Sequence, residues 1–286
     1  MKAKLDCIPC IFNQAFRAAQ NATSDKSLIR KVLNEAGGKV KDIDLNLTPP
    51  EAALPIYRLV EEIAGNSNPY GDIKKEHIRR ALSLYPAMKK RVSLSKDPLK
   101  EAVKISIIGN AIDLGSTLNE IDIEKEFEDA EEKDFILRDF ESFKQKLFRE
   151  KEILYIADNA GETVFDRPLV ELLSDMGKSV LYAVKEYPII NDATREDAEL
   201  SGINTKIIST GSGIAGTVLQ SCSEEFLNVF KRARFIISKG QGNYETLSNV
   251  PAPIFFLFKV KCKPISIDTR FPIGSMLLLK SSSYTD

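Results

Sequence analysis

The spacing of apolar residues along the chain changes near residue 150. Before it, apolar residues recur every three or four positions, which is the spacing of a helix with one buried face. Asp97-Pro98 supplies a capped start for one such helix, and the charge-dense stretch from Asp122 to Glu150 predicts a solvated amphipathic helix or helix pair. The other predicted helices lie around residues 11–19, 28–36, 54–63, 78–85 and 99–106.

From Lys151 onward, short apolar runs alternate with helical stretches. The runs predict five buried strands at 153–157, 179–184, 205–209, 234–238 and 254–258. Helices are predicted at 164–176, from about 193, from about 215 to 232, and briefly after Asn243. Repeated strand–helix units are typical of a mostly parallel sheet covered on both faces. We therefore predict an α/β protein: a mainly helical subdomain at 1–150 and a Rossmann-like, three-layer α/β/α catalytic subdomain at 151–286.

Polar clusters follow these strands. In open α/β sheets the ligand binds outside the carboxyl ends of the strands, so the clusters are expected to converge on one cleft. Their sequences are Asp158-Asn159-Ala160-Gly161-Glu162 after the first strand, Lys185 and then Asn191-Asp192 after the second, Thr210-Gly211-Ser212-Gly213 after the third, Lys239-Gly240-Gln241-Gly242-Asn243 after the fourth, and Lys259 after the fifth.

The composition of this cleft suits a metal and a phosphate. Asp158, Asn159 and Asp192 offer three oxygen ligands for a hard divalent cation. Backbone N–H groups of the glycine-containing turns, each at a helix start, can receive phosphate oxygens, and Lys239 and Lys259 can neutralise phosphoryl charge. For Glu162, in the first turn of a helix, two roles stay open: a favourable charge at the helix terminus, or a part in catalysis.

Charge and histidine content narrow the chemistry further. Forty basic and 41 acidic residues give a net charge of −1 and a pI near 6.1, which argues against binding to nucleic acid or to a membrane surface. The single histidine, His77, argues against His-rich zinc sites and leaves a catalytic triad only if His77 is its base. Carboxylates, amides, lysines and cysteines are left as the reactive groups.

The chain has no run of 18 apolar residues, and its first residues lack the features of a secretory signal. We therefore expect a cytoplasmic protein, in which Cys7 and Cys10 are thiols or metal ligands rather than a structural disulfide.

Several segments together resemble the damage-control phosphatase family, formerly called domain of unknown function 89. The resemblance spans nearly the whole chain and includes an N-terminal Cys-x-x-Cys. It points to the prokaryotic-type branch, because Lys259 lacks the preceding Arg-Thr pair of the methyltransferase-like branch. The segments are Gly109-Asn110-Ala111-Ile112-Asp113, Asp158-Asn159-Ala160-Gly161-Glu162, Asn191-Asp192, Lys239-Gly240-Gln241-Gly242-Asn243-Tyr244-Glu245 and Phe258-Lys259-Val260-Lys261-Cys262.

The resemblance implies metal-dependent hydrolysis of small phosphate esters, such as sugar phosphates or damaged or surplus metabolites. The cofactor would be a divalent cation: manganese, cobalt, nickel or magnesium. By the same resemblance Asp158, Asn159 and Asp192 are the metal ligands, and Asp158 could also be the nucleophile. The implied substrate and phosphate contacts are Asn110 and Asp113 from the N-terminal half, with Lys239, Gly240, Gln241, Asn243 and Lys259.

Three other functions compete with phosphate-ester hydrolysis. The segment Gly211-Ser212-Gly213-Ile214-Ala215-Gly216 fits the glycine pattern of dinucleotide-binding folds and would make the protein an NAD-dependent oxidoreductase. It follows the third strand rather than the first, however, and no ribose-binding acid lies about 20 residues on. The others are an S-adenosylmethionine-dependent carboxyl methyltransferase, proposed for one branch of the family, and a non-catalytic metabolite-binding protein.

Cys7-x-x-Cys10 is half of a zinc-site pattern. Cys262 could join it in the fold as a three-thiolate metal site or a redox pair. The alternative is that the cysteines are reduced and only pack.

Overall fold

A computed structural model describes residues 1–111, 127 and 135–284. The helices are α1 (Cys7–Ala22), α2 (Lys26–Lys39), α3 (Pro49–Ala64), α4 (Gly71–Leu94), α5 (Pro98–Ala111), α6 (Phe140–Arg149), α7 (Glu162–Asp175), α8 (Arg195–Leu200), α9 (Glu224–Arg232), α10 (Gln241–Leu247) and α11 (Lys263–Thr269). The strands are β1 (Phe135–Ile136), β2 (Glu152–Ile156), β3 (Ser179–Val184), β4 (Lys206–Ser209), β5 (Ile236–Lys239), β6 (Ile254–Lys259) and β7 (Met276–Lys280).

The strands form one sheet in the order β1-β7-β6-β5-β2-β3-β4. All neighbours run parallel except β6 and β7, which are antiparallel. The strand order reverses at β2, which pairs with β3 on one side and β5 on the other. Such a reversal opens a crevice at the carboxyl ends of the two central strands.

Each face of the sheet is buried under its own layer of helices. Along β2, Ile153 and Tyr155 belong to one apolar cluster, while Leu154 and Ile156 belong to another, as the two-residue period of a strand requires. Helices α4 to α7 cover the first face and α9 to α11 the second. The α/β fold with a mostly parallel sheet is confirmed.

The N-terminal helices serve two parts of the fold. Helices α1 to α3 build a third apolar cluster, which includes Ile189 from the segment after β3. Helix α5 lies tightly on α7, because a Cβ added at Gly109 would stand 2.7 Å from the Cβ of Phe165. This close approach brings Asn110 to the carboxyl edge of the sheet. The division into units at residue 150 stays a prediction, and α4 to α6, which precede it, pack on the sheet.

One predicted helix is wrong in its first half. Residues 215–223 contain only a 3₁₀ turn (Leu219–Ser221), and α9 begins at Glu224, where the Ser223 Oγ accepts a hydrogen bond from Phe226 N (3.2 Å). Before it, the Oγ1 of Thr217 donates to Asn243 Oδ1 (2.7 Å), which holds this stretch as a loop. Because the 211–216 glycine segment does not open an α-helix, it lacks the strand–turn–helix context of a dinucleotide site.

The five predicted strands are present, with ends shifted by at most two residues, and β1 and β7 were not predicted. Within the described part of 122–150, α6 is helical as expected, whereas β1 is a strand.

Candidate active site

The polar clusters after β2 and β5 meet at the crevice between these two strands. Asp158 follows β2, and Gly240 follows β5 with a φ of 81°. A Cβ added at Gly240 would stand 1.9 Å from the Oδ2 of Asp158, so the backbone passes directly beside that carboxylate. The site therefore lies at the position where open α/β sheets bind ligands.

Backbone pairing brings Asp192 to the same place. Asn159 and Asp192 form an isolated antiparallel bridge. Ala193 N donates to the carbonyl of Asp158 (2.8 Å), and Ala160 N donates to the carbonyl of Asn191 (2.8 Å). Main-chain bonds thus hold together the strand-end segments that carry Asp158 and Asp192. The sequence predicted only that the two segments converge, from their place after parallel strands.

Two asparagines and Glu162 form a hydrogen-bonded frame around Asp158. Asn110 Nδ2 donates to Asp158 Oδ2 (3.0 Å) and to Glu162 Oε1 (2.8 Å). Asn159 Nδ2 makes the same pair of bonds, at 3.2 Å and 2.7 Å. Because the amide nitrogens face these carboxylates, both asparagine side chains have fixed orientations. Glu162, only 1% exposed, is the shared acceptor of the frame and also lies in the first turn of α7, and its part in catalysis stays a prediction.

The site carries an excess of buried negative charge. Burial, followed by the carboxylates of Glu162 and Asp192, raises the pKa of Asp158 well above its ordinary value, although Lys261 and Lys239 oppose the shift. Burial also raises the pKa of Asp192 to about 6, against the opposing effect of Lys185. The Oδ2 of Asp192 receives no hydrogen bond from any described residue and lies 3.5 Å from Lys185 Nζ. A cation between these carboxylates would relieve both the repulsion and the unsatisfied oxygen.

Lys239 does not lie where a substrate phosphate could touch it. Its side chain is fully buried, with Nζ 2.7 Å from Asp166 Oδ1 and 3.4 Å from Glu162 Oε2. Burial opposes its charge, but Asp166 and Glu162 together raise the pKa of Lys239. The position predicted as a phosphate contact is thus an internal cation beneath the frame.

The side chains of the 240–243 segment are also engaged within the protein. Asn243 Nδ2 donates to the carbonyls of Ala157 (3.0 Å) and Lys239 (2.7 Å), and its Oδ1 accepts from Thr217. Gln241 accepts from Lys261 N (2.9 Å). These bonds fix the segment, so its backbone rather than its side chains faces the crevice beside Asp158.

Two predicted contacts remain, Lys259 and Asp113. Lys259 ends β6, its side chain is half-buried, and its N–H donates to Asn110 Oδ1 (3.0 Å). This bond ties the end of β6 to the frame. Asp113 lies outside the described residues.

Residues outside the predicted site set also belong to the site. Lys185 is 4% exposed and donates to the carbonyl of Gly216, and Lys261 is close enough to Asp158 to affect its pKa. Asp166 is fully buried and accepts from Ser106 Oγ (2.8 Å) and Tyr182 Oη (2.8 Å). Lys185 directly follows β3, so its strand-end position marks it in the sequence, whereas Asp166 is marked only by its place in the first turns of a helix.

Gly240 offers a sharp test of the crevice. Gly240→Ala is expected to destabilise the protein by more than about 1 kcal/mol, because alanine disfavours a positive φ, and to displace the Asp158 carboxylate. Gly242→Ala is the matched control, since its added Cβ would meet nothing nearer than 3.5 Å. Urea denaturation and phosphate release measure the two effects. Equal behaviour of the two variants would contradict the proposed close approach.

The cysteines are free thiols. No group of three or more His, Cys, Asp or Glu side chains in the described part of the chain is arranged to hold a metal. A three-thiolate metal site formed by Cys7, Cys10 and Cys262 stays a prediction. Burial raises the pKa of Cys7 and Cys10, which disfavours their thiolates. A redox pair stays a prediction.

The absence of such a group of three does not count against the metal ligands predicted at the crevice. The set Asp158, Asn159 and Asp192 contains only two carboxylates, and its third member is an amide. The Oδ1 of Asn159 accepts no hydrogen bond from the described residues, because its Nδ2 faces the carboxylates. Together with the unsatisfied Asp192 Oδ2, this oxygen-only set fits a hard divalent cation.

The buried carboxyl of Glu245, on α10, should make the unfolding free energy of the protein depend on pH. Burial raises its pKa to about 7, although Gln241 Nε2 donates to its Oε1 (2.9 Å). Because this carboxyl binds its proton more tightly in the folded state, its contribution is complete below the unfolded pKa near 4.5 and is lost as pH rises through 7. Between pH 5 and 8 the unfolding free energy of the wild type should fall relative to that of Glu245→Gln, by on the order of 3 kcal/mol. Parallel urea curves for the two proteins across this range would contradict the assignment.

None of the helices in the described ranges is both long and apolar enough to cross a membrane.

Comparison with known proteins identifies the family. Residues 3–277 match the family described as the damage-control phosphatase ARMT1-like domain. The chain is 34% identical to damage-control phosphatase PH1575 of Pyrococcus horikoshii (98% of this chain, 99% of the relative) and 31% identical to a damage-control phosphatase of Archaeoglobus fulgidus (97% and 98%). The crystal structure of the DUF89 family protein PH1575 superposes with a TM-score of 0.89 at 35% identity, covering 99% of this chain and all of that one. The branch with an N-terminal Cys-x-x-Cys stays a prediction. The chain belongs to the damage-control phosphatase family.

Proposed function

We propose that this protein is a metal-dependent phosphomonoester hydrolase that acts on small phosphorylated metabolites such as sugar phosphates. Its relatives are named damage-control phosphatases, which supports the reaction class. The observation that carries the proposal is the buried pair Asp158 and Asp192 at the sheet's switch point, with one Asp192 oxygen lacking a hydrogen bond from any described residue.

Asp158, Asn159 and Asp192 are the residues that would hold the cation. Manganese, cobalt, nickel and magnesium all suit such oxygen ligands to differing degrees. When bound, the cation polarises a phosphoryl oxygen of the substrate. Asn110 and Glu162 keep Asp158 and Asn159 in place, because both amides are anchored on the same two carboxylates.

The positive charge for the phosphoryl group comes from Lys259 and Lys261, which are half-buried and lie at and just after the end of β6. Their N–H groups donate to Asn110 and Gln241, which ties this segment to the site. Lys185 is buried, and its charge lies beside Asp192 instead. Fixed charges and N–H groups around a developing negative charge lower the barrier without rearranging during the reaction. Lys239 has an indirect role, because its charge holds the carboxylates of Glu162 and Asp166 in place.

Asp158 has two possible roles, ligand or nucleophile. A covalent route forms a bond between an Asp158 oxygen and phosphorus as the leaving alkoxide departs, and water then cleaves the acyl phosphate. Borohydride added during turnover would reduce such an acyl phosphate, so that mass spectrometry finds residue 158 altered. An unaltered residue 158 under turnover would assign Asp158 as a ligand only.

The test of the proposal is a matrix of metals and substrates. Metal-stripped protein is assayed for phosphate release from sugar phosphates, phosphopantetheine-type compounds and aryl phosphates under magnesium, manganese, cobalt and nickel. We expect release that requires added metal and is strongly reduced in Asp158→Asn. If no combination of metal and substrate gave phosphate release, the proposal would be contradicted. Transfer of a labelled methyl group from S-adenosylmethionine would favour the methyltransferase instead.

A further inference from the structure

Lys74 is a buried lysine outside the frame that contacts the segment carrying Asp192. It lies on α4 and is only 3% exposed. Its Nζ stands 2.6 Å from Asp197 Oδ2 and 3.4 Å from the backbone carbonyl of Asp192. A single ammonium from a helix of the N-terminal half thus reaches both ends of the segment from Asp192 to Asp197.

Asp197 is itself built into the start of α8. Its Oδ2 accepts hydrogen bonds from Thr194 Oγ1 (2.6 Å) and from Thr194 N (2.8 Å), and the bond from Thr194 N is one half of a capping box. Lys74 therefore pairs with an oxygen that already fixes the turn between Asp192 and α8. A displacement of this oxygen would move the turn and the Asp192 peptide with it.

The next residue on α4 shows what an ordinary pair at this interface looks like. Lys75 pairs with Glu196 at 3.5 Å, and both side chains are more than half exposed. Such exposed pairs contribute little. Burying the Lys74 ammonium, by contrast, is unfavourable unless it is fully paired, and an apolar side chain would fill the same space without that penalty. The buried charge is better explained by what it holds in place than by net stability.

We propose that Lys74 is a positioning residue that sets the Asp192 carboxylate for cation binding through the Asp192 peptide and the α8 cap. The inference rests on the proposed function, in which Asp192 is a ligand of the cation. It assigns the N-terminal helices a part in metal affinity beyond covering the sheet.

The test compares Lys74→Met with Lys75→Met in metal-stripped protein. Isothermal titration with Mn²⁺ alone measures the dissociation constant, so the readout does not depend on activity. We expect Lys74→Met to bind Mn²⁺ about 10- to 100-fold more weakly, as losses of outer contacts to metal ligands do. Lys75→Met should match the wild type.

A double variant separates positioning from stability. Lys74→Met leaves the Asp197 charge buried without its partner and is expected to lower the melting temperature. Lys74→Met/Asp197→Asn removes that charge while the Asn oxygen can still accept from Thr194. The melting temperature should recover, but Mn²⁺ binding should stay weak, because the donor to the Asp192 carbonyl is still missing.

Three outcomes would overturn the inference. Mn²⁺ affinity of Lys74→Met within twofold of the wild type overturns it while leaving the proposed function intact, and so does recovery of affinity together with stability in the double variant. A wild type that binds no Mn²⁺ overturns the proposed function and this inference together.

Discussion

Asp158→Asn is expected to reduce metal-dependent phosphate release about a hundred- to a thousandfold, because the proposed cation site loses one of its two buried carboxylates. The substitution is nearly isosteric. An Asn oxygen at this position can still accept the bonds that Asn110 and Asn159 now donate to Asp158 Oδ2, so the frame should persist. Release of inorganic phosphate under saturating metal is the measurement.

Stability should move in the opposite direction. Burial and the neighbouring Glu162 and Asp192 raise the pKa of Asp158, which means that the folded state disfavours its charge. Asp158→Asn removes this repulsion, so its unfolding free energy without metal should equal or exceed that of the wild type. A loss of activity that came with a loss of stability would indicate a structural role for Asp158, and full retained activity would contradict the site.

Lys239→Met is expected to lower the unfolding free energy by about 3–5 kcal/mol, because it removes one partner of a buried ion pair. Lys239, Asp166 and Glu162 are all at most 1% exposed. The hydroxyls of Ser106 and Tyr182 would still donate to Asp166, but its charge would have no opposite charge beside it. Urea denaturation at neutral pH measures the loss.

Two controls accompany this prediction. Lys89→Met removes the exposed partner of Glu171 and should change stability by less than about 1 kcal/mol. Lys239→Met/Asp166→Asn removes the orphaned charge and should recover part of the stability. If Lys239→Met were as mild as Lys89→Met, the buried ion pair would not exist as described.

The parts of the fold that could be predicted are those with one clear local pattern. β2 and β3 are continuous apolar runs that end in polar clusters, so both the strands and their common edge follow from the chain. β7 is also apolar, but five residues near the end of the chain do not distinguish a strand from a turn of helix. The first half of the 215–232 prediction failed because Thr217 and Ser223 make tertiary and capping bonds that override helical spacing.

The site shows a similar division. The position of Asp158 and Asp192 after two adjacent strands places both at one edge, and the structure brings them together. The direction of the Lys239 side chain could not be predicted, because it depends on Asp166, which points inward from α7. The roles of Lys74 and Asp197 depend on how α4 packs against α8, and no motif in either helix marks that contact.

Calorimetric titration of Mn²⁺ into metal-stripped wild type and Asp158→Asn tests the central claim most directly, namely that Asp158, Asn159 and Asp192 hold the cation on which the phosphatase depends. We predict one Mn²⁺ bound per chain in the wild type and binding at least about 100-fold weaker in the variant. Undiminished binding by Asp158→Asn, or none by the wild type, would contradict it.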